Sequence, residues 1–249
     1  MHNIPHSELI AVLGRGIELA GSGAFRRWRP TRYIERFDEN NWHPGVRILG
    51  ITADSPDEKV VVGGMNANTL AAGEFVRRLW LHGKTPKVVA FIGGRPQYLS
   101  AEPEDLTGAK IAAEEFIRRS RRFHVSADIE VLACGEKNKN TKDDLVTALA
   151  LAMERGFRTT AIITVAVHIP RSEEFMKVIR RERAEFRGIG VRFLSSEHIL
   201  VGRDRRYRNI LVRAILSRAY ERTRMREEKE VLLIRKRSYV SLQDRQRNR

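Results

Sequence analysis

A chain of 249 residues with 42% hydrophobic side chains and only eight prolines carries enough apolar material for a substantial core, which excludes a disordered protein. The single Cys134 excludes an intramolecular disulfide and suits a reducing compartment. No apolar run reaches the roughly 18 residues that span a bilayer. The first residues, Met1-His-Asn-Ile-Pro-His6, lack the basic start and apolar stretch of a secretory signal, so the expectation is a cytoplasmic protein. Charge is lopsided: the formal net charge is +15, and residues 203–249 hold 16 basic against 6 acidic side chains.

In chain order the sequence reads as repeated strand-then-helix units. Leu9–Leu13 is an apolar strand that ends in Gly14-Arg15-Gly16. Residues 21–57 break the rhythm with Trp28, Trp42, Pro30 and Pro44 among arginines, too long for an ordinary loop, and are expected to form a structured excursion or lid. Lys59–Val62 is a second strand, ending in Gly63-Gly64, and Thr69–His82 is helical. Strand Lys87–Ile92 ends in Gly93-Gly94-Arg95 and precedes a helix over Thr107–Arg119. Strand Ile129–Ala133 runs into Asn138-Lys139-Asn140-Thr141 and a helix over Asp143–Glu154. Thr160–Val167 is a β-branched run suited to a strand buried on both faces, followed by helix Ser172–Glu185. Strand Gly190–Leu194 and a long helix over Asp204–Glu230 follow. Val231–Ile234 fits an edge strand, a continued helix or an oligomer contact. Such alternation requires parallel strands and right-handed crossovers. The fold class is α/β, a three-layer doubly wound sandwich with a mostly parallel Rossmann-like sheet. Residues 1–202 form the α/β domain, and 203–249 form a basic helix and tail packed on it.

In such sheets ligands bind where strands end and helices begin. The glycines at 14, 16, 63, 64, 93 and 94 follow apolar strands, where glycine permits a tight turn and exposed N–H groups can cradle an anion. None completes a dinucleotide or P-loop fingerprint. Asn140 or Thr141 suits an N-cap, while Asn66, Asn138, Asn140 and Thr141 can orient a polar ligand. His168 and Arg171 follow the most apolar strand. Arg171 stands at a helix start, where a cation opposes the macrodipole, so it needs a partner: a carboxylate of the chain or an anionic ligand. No H-E-x-x-H or Cys/His cluster supports a metal, and no G-x-S-x-G elbow supports a serine hydrolase.

Thr164-x-x-x-His168-x-x-Arg171, Asn140-Thr141 after Glu136, and strands ending in double glycine together resemble the YdcF/SanA/ElyC-like family over about Leu9–Leu200. The resemblance implies a Rossmann-like sheet with a polar pocket at the strand C-termini. Some members of that family are membrane-tethered and linked to envelope integrity, and a soluble member is associated with S-adenosylmethionine. Where relatives place an arginine after the first glycine turn this chain has its excursion, with Arg32 as the candidate substitute. Thr107-Gly108 replaces a Ser-Glu pair, with Glu102, Glu104 and Asp105 nearby.

Two functions follow as expectations. The first is binding of a nucleotide-like or phosphorylated small molecule, S-adenosylmethionine among the candidates. Its glycine floor would be 14, 16, 63, 64, 93 and 94, with Arg15, Thr164 and the Asn/Thr groups lining it. Arg32 and Arg95 would close over the ligand, Arg171 would clamp an anion, and His168 would donate a hydrogen bond or move a proton, as an imidazole can near neutral pH. The second is RNA or polyanion binding through Arg203, Arg205, Arg206, Arg235, Lys236 and Arg237.

Overall fold

The computed structural model of the chain describes residues 7–14, 16–20, 27–31, 34–36, 60–95, 106–123, 125–203, 205–237 and 239. Its strands are β1 (Leu9–Leu13), β2 (Ile17–Ala20), β3 (Arg27–Pro30), β4 (Ile34–Arg36), β5 (Val60–Val62), β6 (Val88–Ile92), β7 (Glu130–Cys134), β8 (Thr159–Thr164) and β9 (Gly190–Ser195). Its helices are α1 (Met65–Leu81), α2 (Gly108–Arg119), α3 (Thr141–Glu154), α4 (Ile169–Glu182), α5 (Ser196–Val201), α6 (Arg205–Ile215) and α7 (Arg218–Arg235).

Five strands pair in parallel in the order β7-β6-β1-β8-β9. The central β1 is apolar throughout and wholly buried, because helices cover both faces of the sheet. Alternate side chains serve opposite layers. Ile10, Val12, Val89, Phe91 and Ile163 pack toward α1, α2 and α5, while Leu9, Leu13, Val88, Ile92 and Ile162 pack toward α3 and α4. The edge strands β7 and β9 are only partly buried and carry polar groups; Glu130 pairs with Arg155 at 2.9 Å. This is the three-layer α/β sandwich expected. Neighbours β1 and β8 lead to helices on opposite faces, so the crevice between their C-terminal ends is the topological switch point.

Two local expectations change, and one left open is settled. Val60–Val62 is a strand, but it pairs antiparallel with β4, outside the five-stranded sheet; β2 and β3 form a second small antiparallel ladder. Both lie in or beside the 21–57 excursion, whose described part is therefore structured. The single helix expected over 204–230 breaks at Leu216-Ser217. The Ser217 hydroxyl donates to Ala214 O and accepts from the Tyr220 N–H at 3.2 Å, so this serine ends one helix and caps the next. Of the three readings of Val231–Ile234, the structure shows the continued helix: the segment extends α7, with Val231 and Ile234 buried.

The C-terminal helices are built into both layers. Leu211 of α6 packs in the α1/α2 layer, and Ile234 of α7 packs in the α3/α4 layer. The Thr223 hydroxyl of α7 accepts from the Val62 N–H at 3.1 Å. Among the described residues no helix is long and apolar enough to cross a membrane.

Candidate functional site

The strand-end glycines serve close packing. The Gly14 N–H donates to Ile92 O at 2.7 Å and the Gly93 N–H to Cys134 O at 3.1 Å, extending the parallel pairing past the strand ends. A Cβ on Gly94 would stand 1.9 Å from the Asn138 carbonyl oxygen, and one on Gly14 would stand 3.0 Å from Ile92 O. Gly63 has a left-handed φ of 118° and turns the chain into α1, with Gly64 as N-cap. The Gly63-Gly64 pair thus reaches this edge as the start of a helix, not as the end of a main-sheet strand.

The first turn of α1 is covered by the chain itself. Thr31 Oγ1 accepts from the Met65 N–H at 3.2 Å and donates to Gly16 O, and Thr31 O accepts from the Asn66 N–H at 2.9 Å. Helix N-termini normally leave such donors unpaired. At Gly14, Gly93 and the start of α1, the expected cradle of free N–H groups is therefore occupied by carbonyls and a hydroxyl of the protein. Arg15 and Arg32 lie outside the described residues.

The next loop is equally well braced. Asn140 is the N-cap of α3, its Oδ1 accepting from the Asp143 N–H at 3.1 Å, and Thr141 is the first helical residue. Asn138 donates through Nδ2 to Asp144 Oδ1 at 2.8 Å and accepts at Oδ1 from the Thr147 hydroxyl at 3.1 Å. The amide of Asn138 also forms part of a cleft of about 390 Å³ between α3 and α4, floored by Val146 and Ile179 and flanked by Lys142 and Glu182. The Arg95 N–H donates to Glu136 O at 3.4 Å, joining the β6 and β7 loops.

The charged centre lies after β8. Thr164 is its buried last residue, and a 3-10 turn carries the chain to His168, at the start of α4 with Pro170 in the first turn. Starting at 169 rather than 172 puts Arg171 inside the helix, and its partner is a carboxylate of the chain. Glu227, buried on α7, places Oε2 3.0 Å from Arg171 Nε and Oε1 3.3 Å from His168 Nε2. The Arg171–Glu227 contact is an ion pair whose angle falls short of a hydrogen bond. The two terminal nitrogens of Arg171 have no hydrogen-bond partner among the described residues.

Two further buried carboxylates border this centre. Asp144 has its carboxyl pushed up to about 7 by burial; the Asn138 N–H bond lowers it, Asp143 raises it, and the positive charge of Arg171 lowers it. Glu197 Oε2 accepts from the Ala166 N–H at 2.8 Å and from the hydroxyls of Ser195 and Ser196, fixing the turn that presents His168.

Asp144, Glu197 and Glu227 were not singled out from the sequence. Glu227 did leave a signal, since Ala219, Thr223, Glu227, Val231 and Ile234 recur at helical spacing as the buried stripe of α7. A glutamate inside such a stripe needs a buried partner.

Comparison of the chain with protein-family models, characterised proteins and solved structures finds no match. Its chemistry therefore rests on the residues themselves. Among the described residues no group of three or more His, Cys, Asp or Glu is placed to hold a metal ion.

The basic C-terminal residues do not share one surface. Arg203 reaches Glu74 of α1 at 3.9 Å, in one helical layer, and Arg235 reaches Glu174 of α4 at 2.8 Å, in the other. Lys236 and Arg237 are exposed after α7, and the side chains of Arg205 and Arg206 lie outside the described residues.

Proposed function

We propose that the chain binds a nucleotide-like or phosphorylated small molecule at the C-terminal edge of its sheet, beside His168 and Arg171. The observation that carries this reading is the brace on Arg171. A buried carboxylate pairs with its Nε, and its two terminal nitrogens have no hydrogen-bond partner among the described residues, which leaves the outer edge of the guanidinium to an anion. His168 shares that carboxylate through Nε2. Asp144, whose carboxyl sits near neutrality within the field of Arg171, adds a second group able to exchange a proton at this edge. The YdcF/SanA/ElyC-like resemblance supports the same location and brings S-adenosylmethionine into the ligand set.

A thermal-shift screen against nucleotides, sugar nucleotides, S-adenosylmethionine and inorganic phosphate tests the reading. A ligand at a hundredfold its Kd stabilises the folded state by about 2.7 kcal/mol. For a domain of this size that raises the midpoint by roughly 5–10 °C. The shift disappears in Arg171→Ala. A shift of equal size in wild type and Arg171→Ala refutes the placement, and a screen without any shift refutes the binding.

A further inference from the structure

Far from the strand C-termini, the last turns of α1 and α2 carry a second charged assembly. Glu74, 1% exposed, takes Arg77 through Nε and Nη2 at 2.9 and 2.8 Å and Arg78 through Nε at 3.1 Å. On α2, Glu115, 4% exposed, accepts a hydrogen bond from Arg119 Nε and forms an ion pair with Arg118. Arg203 joins the two groups: it pairs with Glu74, and its guanidinium lies 5.3 Å from the Phe123 ring and 5.9 Å from the Tyr207 ring. Beyond these come Arg27 of β3 and Arg121 and Arg122 of the 3-10 turn after α2. All three are exposed, and none has an acidic partner among the described residues. Among the described residues the assembly thus sets eight arginines against two buried glutamates and the exposed Glu114. The crowding registers on Arg118, whose pKa is lowered by burial and then by Arg27 and Arg119.

Like charges held together in this way raise the energy of the free protein and favour an anionic partner. The glutamates underneath fix the guanidinium planes, so little side-chain freedom is lost when outward N–H groups meet phosphates. The cations in the cluster are all arginine, and Arg203 lies over two aromatic rings, a combination that recurs where proteins meet nucleotides. We propose that this face binds the phosphate backbone of nucleic acid. It does so without base-specific contacts, because its donors are guanidinium forks aimed at phosphate.

Fluorescence anisotropy with a labelled 20-base-pair duplex between 50 and 200 mM salt tests this. The five exposed members, Arg27, Arg118, Arg121, Arg122 and Arg203, set about five phosphate contacts, so the log–log salt slope is about −4.5 and affinity falls roughly 500-fold over that range. In Arg121→Gln/Arg122→Gln, which removes no ion pair, the slope becomes about −2.7 and the fall about 40-fold, with an unchanged thermal midpoint. Lys236→Gln/Arg237→Gln leaves binding as in wild type. Four results overturn the proposal: no binding at 50 mM salt, a slope unchanged in Arg121→Gln/Arg122→Gln, binding lost only in Lys236→Gln/Arg237→Gln, or binding to phosphatidylserine vesicles without binding to nucleic acid. Arg171→Ala has no effect on this titration, so the outcome is separate from that at the sheet edge.

Discussion

Replacing Glu227 by glutamine removes one negative charge from beneath Arg171 and keeps the side chain's size. The amide oxygen can still accept from His168, so the substitution isolates the charge lost by Arg171. Glu227 and Arg171 side chains are 5% and 18% exposed. Breaking a buried pair by removing one partner costs about 3–5 kcal/mol, because the remaining charge is left uncompensated. The terminal nitrogens of Arg171 make no bond within the described chain, which places the expected loss at the low end, about 3 kcal/mol. For a domain of about 250 residues that lowers the thermal midpoint by roughly 6–12 °C. Urea denaturation at pH 7 gives the free energy directly. The double variant Arg171→Met/Glu227→Gln leaves no orphan charge and is expected within about 1 kcal/mol of wild type, a coupling of at least ~2 kcal/mol across the cycle. A single-variant loss below about 0.5 kcal/mol, or strictly additive losses, would show that the pair is not the buried brace described.

Asp144 makes stability fall as pH rises. Its carboxyl is raised to about 7 in the folded protein from 3.8. The folded state therefore binds more protons than the unfolded state between these values, and stability declines through that window. Asp144→Asn abolishes the decline while keeping the Asn138 bond, so its advantage over wild type grows by about 3 kcal/mol from pH 5 to pH 8 in urea titrations; a constant difference would contradict the buried neutral carboxyl. Gly94→Ala directs a methyl at the Asn138 carbonyl, a backbone atom 1.9 Å away, and costs at least about 3 kcal/mol, whereas Gly14→Ala, at 3.0 Å, costs less. Thermal midpoints rank the two, and the reverse order would refute the packing argument.

The sheet was legible in the sequence because its strands are buried on both faces. Leu9–Leu13, Val88–Ile92 and Thr159–Thr164 are continuous apolar or β-branched runs that no surface segment needs. The His168/Arg171 pair was legible from its place after the most apolar strand and from the conflict between a cation and a helix N-terminus. What resolved the conflict was not legible, since Glu227 lies 56 residues further on and only the packing of α7 on α4 brings it back. The glycines were ambiguous for a related reason. The same residue serves a bound ligand or a neighbouring carbonyl, and only Asn138 O against Gly94 tells which. Val60–Val62 has the composition of a core strand, yet its partner, Ile34–Arg36, comes from the excursion and draws it out of the main sheet.

The return of α7 also bears on how the molecule is made. Synthesis delivers the central strand β1 and Arg171 well before Glu227, so a nascent chain can assemble strands and helices while the positive charge of Arg171 still has no counterpart. Thr223, one turn before Glu227, simultaneously fastens the segment that follows the excursion. Helix α7 thus closes two distant stretches in one docking event. A ribosome-stalled chain ending before residue 218 should remain open to protease at both, and one extended past residue 235 should become resistant at both together.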